Sequence, residues 1–231
     1  MRRVLLTLIL IAMTPAAFAA DDDLEVCYSQ KFTQREIDVC TRLIGTSKAE
    51  AKDLAGIYYE RALKYRLTKQ YPNALADVNT AAKLDPDFKF SYTLRGHVNG
   101  DLGNLDRAIE DHTSAIKMSP DSAVAYNGRA IEYMRQKKYD LAFADFDRSL
   151  ALNAKYFYAY FYRGDAYLET GDVKKAIADY EMAASIEPAD QNIKMRLQNA
   201  KAKLLEADGK GGARKSVTKK ANSSRRSDAR R

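Results

Sequence analysis

The sequence FYAYFYRGDAYLETGDVKKAIADYEMAASIEP, residues 157–188, carries the pattern of two amphipathic helices. In its first half, Tyr160, Gly164 and Tyr167 are spaced four and three apart, which places them on one helical face. Gly171 then marks a turn, and a second set of apolar residues at helical spacing runs as far as a proline. The stretch therefore predicts a helical hairpin.

This hairpin pattern occurs four times at a constant interval, without insertion, over residues 55–190. Neighbouring hairpins in such repeats bury a shared core that no single hairpin can bury alone. The columns that return in register, one repeat length apart, are Tyr58, Tyr92, Tyr126 and Tyr160; Ala62, Gly96, Ala130 and Gly164; Ala74, Ala108, Ala142 and Ala176; and Pro86, Pro120 and Pro188, with Ala154 where the remaining proline is expected.

These columns resemble the tetratricopeptide repeat, a 34-residue helix–turn–helix with aromatic, small and proline positions in this order. The resemblance covers about three fifths of the chain and implies an all-α fold, a right-handed α-solenoid. We predict a half-repeat over residues 20–54, four full repeats over 55–190 and a capping helix over 191–208 with a polar outer face.

Two columns of charge accompany the repeats, and each aspartate follows its arginine at the same spacing. We interpret them as interhelical ion pairs, because the planar guanidinium suits a partly buried carboxylate. Solvated charges of little energetic weight are the alternative. The columns are Arg61, Arg95, Arg129 and Arg163, and Asp77, Asp111, Asp145 and Asp179.

Residues 1–19 have the pattern of a cleavable signal peptide. Arg2 and Arg3 precede an apolar run over residues 4–13, and residues 17–19 supply small side chains for cleavage. The run is much shorter than the roughly 20 apolar residues that span a bilayer. We expect an exported protein without a transmembrane segment after cleavage. The residue pattern of the repeats resembles that of exported bacterial proteins. This resemblance implies a location in the periplasm or secretion.

Cys27 and Cys40 are the only cysteines, and both lie in the predicted mature chain. An oxidising compartment favours a disulfide between them, although two buried free thiols are the alternative. Their spacing fits neither a CxxC redox motif nor a metal pair. A bridge of this loop length contributes about 3 kcal/mol in the chain-entropy model.

The carboxy-terminal segment, residues 209–231, contains nine basic residues and one acidic residue. We predict a disordered basic tail, because this composition cannot bury enough apolar surface to order itself. The chain carries a formal charge of +7, of which the signal contributes +2 and the tail +8, so residues 21–208 carry −3. The high isoelectric point therefore belongs to the tail.

The sequence offers almost no catalytic chemistry. His112 falls in a column occupied elsewhere by core residues, and His97 lies on a first helix with no serine or cysteine placed for nucleophilic catalysis. Neither a phosphate-binding loop nor a metal-ligand spacing occurs. We predict that the protein is not an enzyme and takes no cofactor and no metal.

The first helices of tetratricopeptide repeats line a concave groove that holds extended peptides or partner helices. Aromatic residues crowd between positions 156 and 162, and exposed aromatics are typical of binding hot spots. We therefore favour Tyr158 and Phe161; packing of several of these rings against a neighbouring repeat or the capping helix is the alternative. The resemblance implies a groove formed by Tyr59, Leu63, Phe90, Thr93, His97, Asn127, Ile131, Tyr158, Phe161 and Asp165.

Some members of this family hold a chaperone's terminal carboxylate with lysine, asparagine and arginine side chains in this groove. None of the residues at the matching positions is of these types, so this mode of binding is not expected. The positions are Tyr59, Leu63, Leu94, Val124 and Gly128.

We predict a non-enzymatic scaffold that binds a protein or peptide segment in the groove. An adaptor that tethers to anionic surfaces through residues 209–231 is the alternative. Lipid headgroups and acidic glycans fit that alternative better than nucleic acid, and such binding would weaken steeply with salt.

Overall fold

The computed structural model describes residues 22–46 and 49–207, and every regular element within these ranges is an α-helix. The predicted all-α class is confirmed. The predicted signal peptide and basic tail lie outside the described residues. No helix in the described part is long and apolar enough to cross a membrane.

The described helices follow one another in pairs joined by short turns, as the repeat predicts. Their bounds are α1 (22–27), α2 (Gln34–Thr46), α3 (Ala51–Leu67), α4 (Tyr71–Leu84), α5 (Lys89–Asp101), α6 (Leu105–Met118), α7 (Ala123–Arg135), α8 (Tyr139–Leu152), α9 (Phe157–Glu169), α10 (Val173–Ile186) and α11 (191–207).

The chain forms two compact units, an amino-terminal unit up to Arg107 and a carboxy-terminal unit from Ala108. In the first, α2 packs on α3, α3 on α4 and α4 on α5; in the second, α7 packs on α8, α8 on α9 and α9 on α10. The cores contain members of the predicted small and alanine columns: Ala62 and Ala74 with Val78 and Leu94 in one unit, and Ala130 and Ala142 with Phe146 and Ala166 in the other.

The two helices of a repeat approach closely where the small column crosses the second helix. A Cβ atom added at Gly164 would lie 2.8 Å from the ring of Tyr180, which is fully buried. At this crossing the tyrosine ring therefore leaves room for glycine but not for a larger side chain. At the crossing of α3 and α4, Ala62 packs in one core with the smaller Val78.

In three repeats the arginine and aspartate columns form the predicted ion pairs. Arg129 donates two hydrogen bonds to the buried carboxylate of Asp145, at 2.7 and 2.9 Å. Its remaining amino group reaches the hydroxyl of Thr113 at 3.2 Å, on the preceding second helix. The column thus joins the helices within a repeat and also joins successive repeats. The same bidentate geometry joins Arg61 to Asp77 and Arg163 to Asp179.

A disulfide joins the two helices of the amino-terminal half-repeat, and a polar contact ties its loop to α3. Cys27 and Cys40 form a disulfide, which confirms that prediction. The loop that follows Cys27 covers the fully buried Lys64, whose ammonium group donates to the carbonyl oxygen of Ser29 at 3.1 Å. The carboxylate of Glu60 lies 3.5 Å from the same ammonium group.

Helix α11 ends the described part of the carboxy-terminal unit as a capping helix. Its apolar residues Leu197 and Ala200 pack on the core around Tyr180. Where the repeats place tyrosine, a small residue and tyrosine, α11 carries Lys194, Gln198 and Lys201. These polar residues could not form the core of a further hairpin.

Replacing Gly164 with alanine tests the crossing. Alanine favours a helix by about 1 kcal/mol over glycine, but its methyl group would clash with the Tyr180 ring, and overpacking costs about 1–3 kcal/mol. We expect Gly164→Ala to lower the free energy of unfolding, measured by urea denaturation with circular dichroism. Gly45→Ala in α2 is the matched control, because no atom lies within 4 Å of its added Cβ; it should be neutral or stabilising. Equal or greater stability of Gly164→Ala than wild type would contradict the packing described.

The disulfide is tested by alkylation in denaturant followed by mass spectrometry. Iodoacetamide should modify no cysteine without a reductant and both cysteines after reduction. The double variant Cys27→Ser/Cys40→Ser should lose about 3 kcal/mol of unfolding free energy, because the bridge constrains a loop in the unfolded chain. Modification of the unreduced protein would show that the thiols are free.

Candidate functional site

The sequence-predicted groove residues lie on the first helices of the repeats and divide between the two compact units. Tyr59 and Leu63 lie on α3 and Phe90, Thr93 and His97 on α5, in the amino-terminal unit. Asn127 and Ile131 lie on α7 and Tyr158, Phe161 and Asp165 on α9, in the carboxy-terminal unit. Each group is described within its own unit.

In the amino-terminal unit, three aromatic rings make a ladder from core to surface. Tyr59 packs edge-on against Phe88 at 5.1 Å between ring centroids, and Phe88 packs in the same way against Phe90 at 5.6 Å. Burial, followed by the charge of Glu60, raises the pKa of Tyr59. Phe90 is 53% exposed, so it is the accessible end of the ladder. Tyr59 is the inner end, and it mainly supports the ring of Phe90 through Phe88.

Leu63, Thr93 and His97 are only partly exposed. Leu63 packs on the core of the amino-terminal unit. Protein atoms surround the ring of His97 closely, and burial lowers its pKa to about 3, with a smaller contribution from the positive charge of Arg66. His97 is therefore a neutral imidazole at physiological pH, a hydrogen-bonding side chain rather than a charge.

In the carboxy-terminal unit, Tyr158 is the accessible ring of the aromatic cluster. It is 46% exposed and packs against Phe157 at 4.0 Å and Tyr156 at 5.7 Å between ring centroids. Burial, aided by Tyr158 and Tyr162, raises the pKa of Tyr156 to about 12. The Tyr158 ring is thus held against a wall of aromatic neighbours, which reduces the entropy it would lose on binding.

Asn127 and Ile131 on α7 are less accessible than the sequence suggested. Asn127 is 3% exposed, and Ile131 packs on the core that contains Ala130 and Phe146. The side chains of these two residues therefore do not protrude from the α7 surface.

Phe161 and Asp165 contact the capping helix. The guanidinium of Arg196 on α11 lies 6.0 Å from the centroid of the Phe161 ring and 3.6 Å from the Asp165 carboxylate. Asp165 also accepts a hydrogen bond of 2.6 Å from the hydroxyl of Tyr180. Burial raises the pKa of Asp165, against the opposing effects of Tyr180 and Arg196. For Phe161, packing against the capping helix is therefore observed.

Two accessible residues were missing from the predicted groove. Val124 on α7 is 41% exposed, and its signal in the sequence was its place at the repeat position that Phe90 and Tyr158 occupy in the neighbouring repeats. Arg196 lies on α11, which the repeat pattern predicts as a cap rather than as part of the groove. It lies one repeat length after Tyr162, so α11 keeps the register of the first helices.

No group of three or more His, Cys, Asp or Glu side chains within the described residues could hold a metal ion. An open cavity of about 590 Å³ lies at the turn between α7 and α8, and the hydroxyl of Thr170 on its wall donates to the carbonyl oxygen of Ala166. The cavity is lined by Lys137, Lys138, Tyr139, Asp140, Leu141, Phe143 and Thr170.

Comparison with known proteins first defines the class, an all-helical repeat fold. A thermophilic tetratricopeptide repeat protein of Thermus thermophilus, TTC0263, is 19% identical with a TM-score of 0.67, over 78% of this chain and 98% of that one. The MamA protein is 26% identical with a TM-score of 0.52, over 63% and 80% of the two chains. The first such domain of human RPAP3 is 27% identical with a TM-score of 0.51, over 54% and 98%.

The family follows from the sequence match. The model of the family described as tetratricopeptide repeat matches residues 93–157 and 127–192. The chain is a tetratricopeptide repeat protein, as its recurring columns predict, and the similar structures support the predicted α-solenoid class. A search of curated proteins found no match.

The pKa of His97 predicts an acid-sensitive contribution to stability. The folded pKa of about 3 lies below the usual value of 6.5, so the folded state binds fewer protons than the unfolded state in acid. The contribution is complete above pH 6.5 and is lost as the pH falls toward 3. Between pH 7.5 and 5 the wild type should lose on the order of 1–2 kcal/mol more unfolding free energy than His97→Gln. Parallel pH profiles of the two proteins, measured by urea denaturation, would contradict this.

Proposed function

We propose that the protein is a non-enzymatic scaffold that binds a peptide or protein segment on the first helices of repeats within a compact unit. The observation that carries the proposal is the exposed apolar column on these helices. Phe90, Val124 and Tyr158 recur at one repeat position, and each keeps 41–53% of its surface exposed. Exposed apolar and aromatic side chains on a rigid surface are typical of protein-binding sites.

The packing of the repeats explains why these side chains are available. Ala130, Ala142 and Ala166 are buried in the core. The helix faces that carry them differ from the faces that carry the exposed column. Tetratricopeptide repeats generally serve as scaffolds for protein interaction, which supports the same role for this chain.

We further propose export to the periplasm or the exterior. The support is the signal-like pattern of residues 1–19 and the disulfide between Cys27 and Cys40, since disulfides persist in oxidising compartments. The partner is then expected to be an extracytoplasmic protein.

The second candidate is attachment to an anionic surface through residues 209–231. The favouring observation is their charge of +8, against −3 for residues 21–208. Binding to vesicles rich in anionic lipid should then fall steeply between 50 and 200 mM salt and vanish when residues 209–231 are deleted. Vesicle binding that survives the deletion would exclude the tail as its cause.

Peptides selected from a phage-displayed library of random dodecapeptides test the first-helix surface. Tyr158→Ser should weaken selected peptides by about 10-fold, because truncation of an aromatic hot spot costs about 1–2 kcal/mol or more. Leu141→Ser is the matched control, since Leu141 is exposed to a similar extent, 48%, but lies on a second helix. Isothermal titration calorimetry should show a change of less than twofold for the control. Equal losses in both variants, or no loss in either, would contradict the proposal.

A further inference from the structure

The end of the carboxy-terminal unit contains a side-chain cluster that the packing of the cap does not require. Its members are Arg196 on α11, Phe161 and Asp165 on α9, and Tyr180 on α10. Leu197 and Ala200 already anchor α11 to the core. The cluster lies where α11 meets two residues of the predicted groove, so it belongs to the same surface as the proposed binding site.

Helix α11 continues the register of the first helices. Asn192 lies one repeat length after Tyr158, and Met195 lies one repeat length after Phe161. Both are exposed, Met195 to 51%. By helical spacing, Asn192, Met195 and Arg196 share one side of α11, and the contact of Arg196 with Phe161 fixes that side against α9. The surface formed by α7 and α9 therefore extends onto α11.

The guanidinium of Arg196 has donors left over. Its ion pair with Asp165 is long at 3.6 Å, and the Arg196 side chain remains 46% exposed. A guanidinium carries five N–H donors in a planar fork that matches a carboxylate. Asp165 meanwhile takes its short hydrogen bond of 2.6 Å from Tyr180. The pair holds Arg196 over the Phe161 ring without using up its donors.

Two other charged side chains on α9 and α11 have partners of their own. The carboxylate of Glu169 accepts a hydrogen bond of 2.9 Å from the hydroxyl of Tyr139. On α11, Lys201 pairs with Glu181 at 2.7 Å. Beside the exposed apolar side chains of Tyr158 and Met195, the open side of the Arg196 guanidinium complements a negative charge next to an apolar residue.

We propose that α11 is a further wall of the binding surface, and that Arg196 binds a carboxylate of a partner segment whose apolar side chains pack on Tyr158 and Met195. This inference rests on the proposed function and adds the chemistry of the partner. The carboxylate comes from an acidic side chain or from the end of the partner chain, and both sources present the same two oxygens to the guanidinium.

The probes are the library-selected dodecapeptides that lose affinity with Tyr158→Ser. Against the full chain, their consensus should carry an acidic residue or a free carboxyl terminus beside apolar residues. Arg196→Ala should weaken these peptides 10-fold or more, and Arg196→Lys should weaken them less. Lys194→Ala is the matched control, with the same loss of charge on the same helix at a position one repeat length after Tyr160; it should change affinity less than twofold.

A second arm changes the peptide and leaves the protein intact, so it does not depend on the folding of any variant. If Arg196 binds an acidic side chain, replacing the peptide's Glu with Gln or its Asp with Asn should lower the affinity. If Arg196 binds the end of the peptide, amidation of the peptide's carboxyl terminus should lower it. Affinity unchanged by both modifications would overturn the role of Arg196. If no selected peptide depends on Tyr158, the proposed function itself fails; dependence on Tyr158 but not on the carboxylate or Arg196 refutes only the present inference.

Discussion

The close approach of the two helices within each repeat is the constraint on which the rest of the structure depends. It requires a small residue on the first helix and a space-filling residue on the second, as with Gly164 and Tyr180 or Ala62 and Val78. Because the apolar contacts of a first helix are made on the faces turned to its neighbours, its remaining face carries side chains that packing does not determine. That face is the candidate binding surface.

The Arg–Asp ion pairs and the terminal helices of the described residues complete this arrangement. Each bidentate Arg–Asp pair holds a nearly buried carboxylate between the helices of a repeat, as at Arg129 and Asp145. Removal of one member of such a pair leaves the buried charge of the other member uncompensated. The pairs therefore specify the geometry of the repeat as well as contributing energy. At the described edges, a disulfide-linked half-repeat and the polar face of α11 take the place of missing neighbours.

The sequence predicted the features that repeat and the single disulfide, but not how far individual side chains are covered by their neighbours. The hairpins, the small columns and the ion pairs of Arg61, Arg129 and Arg163 each left a signal that returns with every repeat. The exposure of individual groove residues was not predicted, because Asn127 and Tyr158 both lie on first helices although one is buried and the other is 46% exposed. The contact of Arg196 with Phe161 depends on where one capping helix docks, which periodicity cannot give.

Mapping of a bound peptide on the protein by NMR cross-saturation tests the central claim most directly, since it reports contact without altering the binding surface. With a selected dodecapeptide as the saturated partner and deuterated protein, the account predicts the strongest transfer to α7 and α9, at positions such as Val124 and Tyr158. Strongest transfer to the second helices α8 and α10, or to residues 209–231, would contradict it.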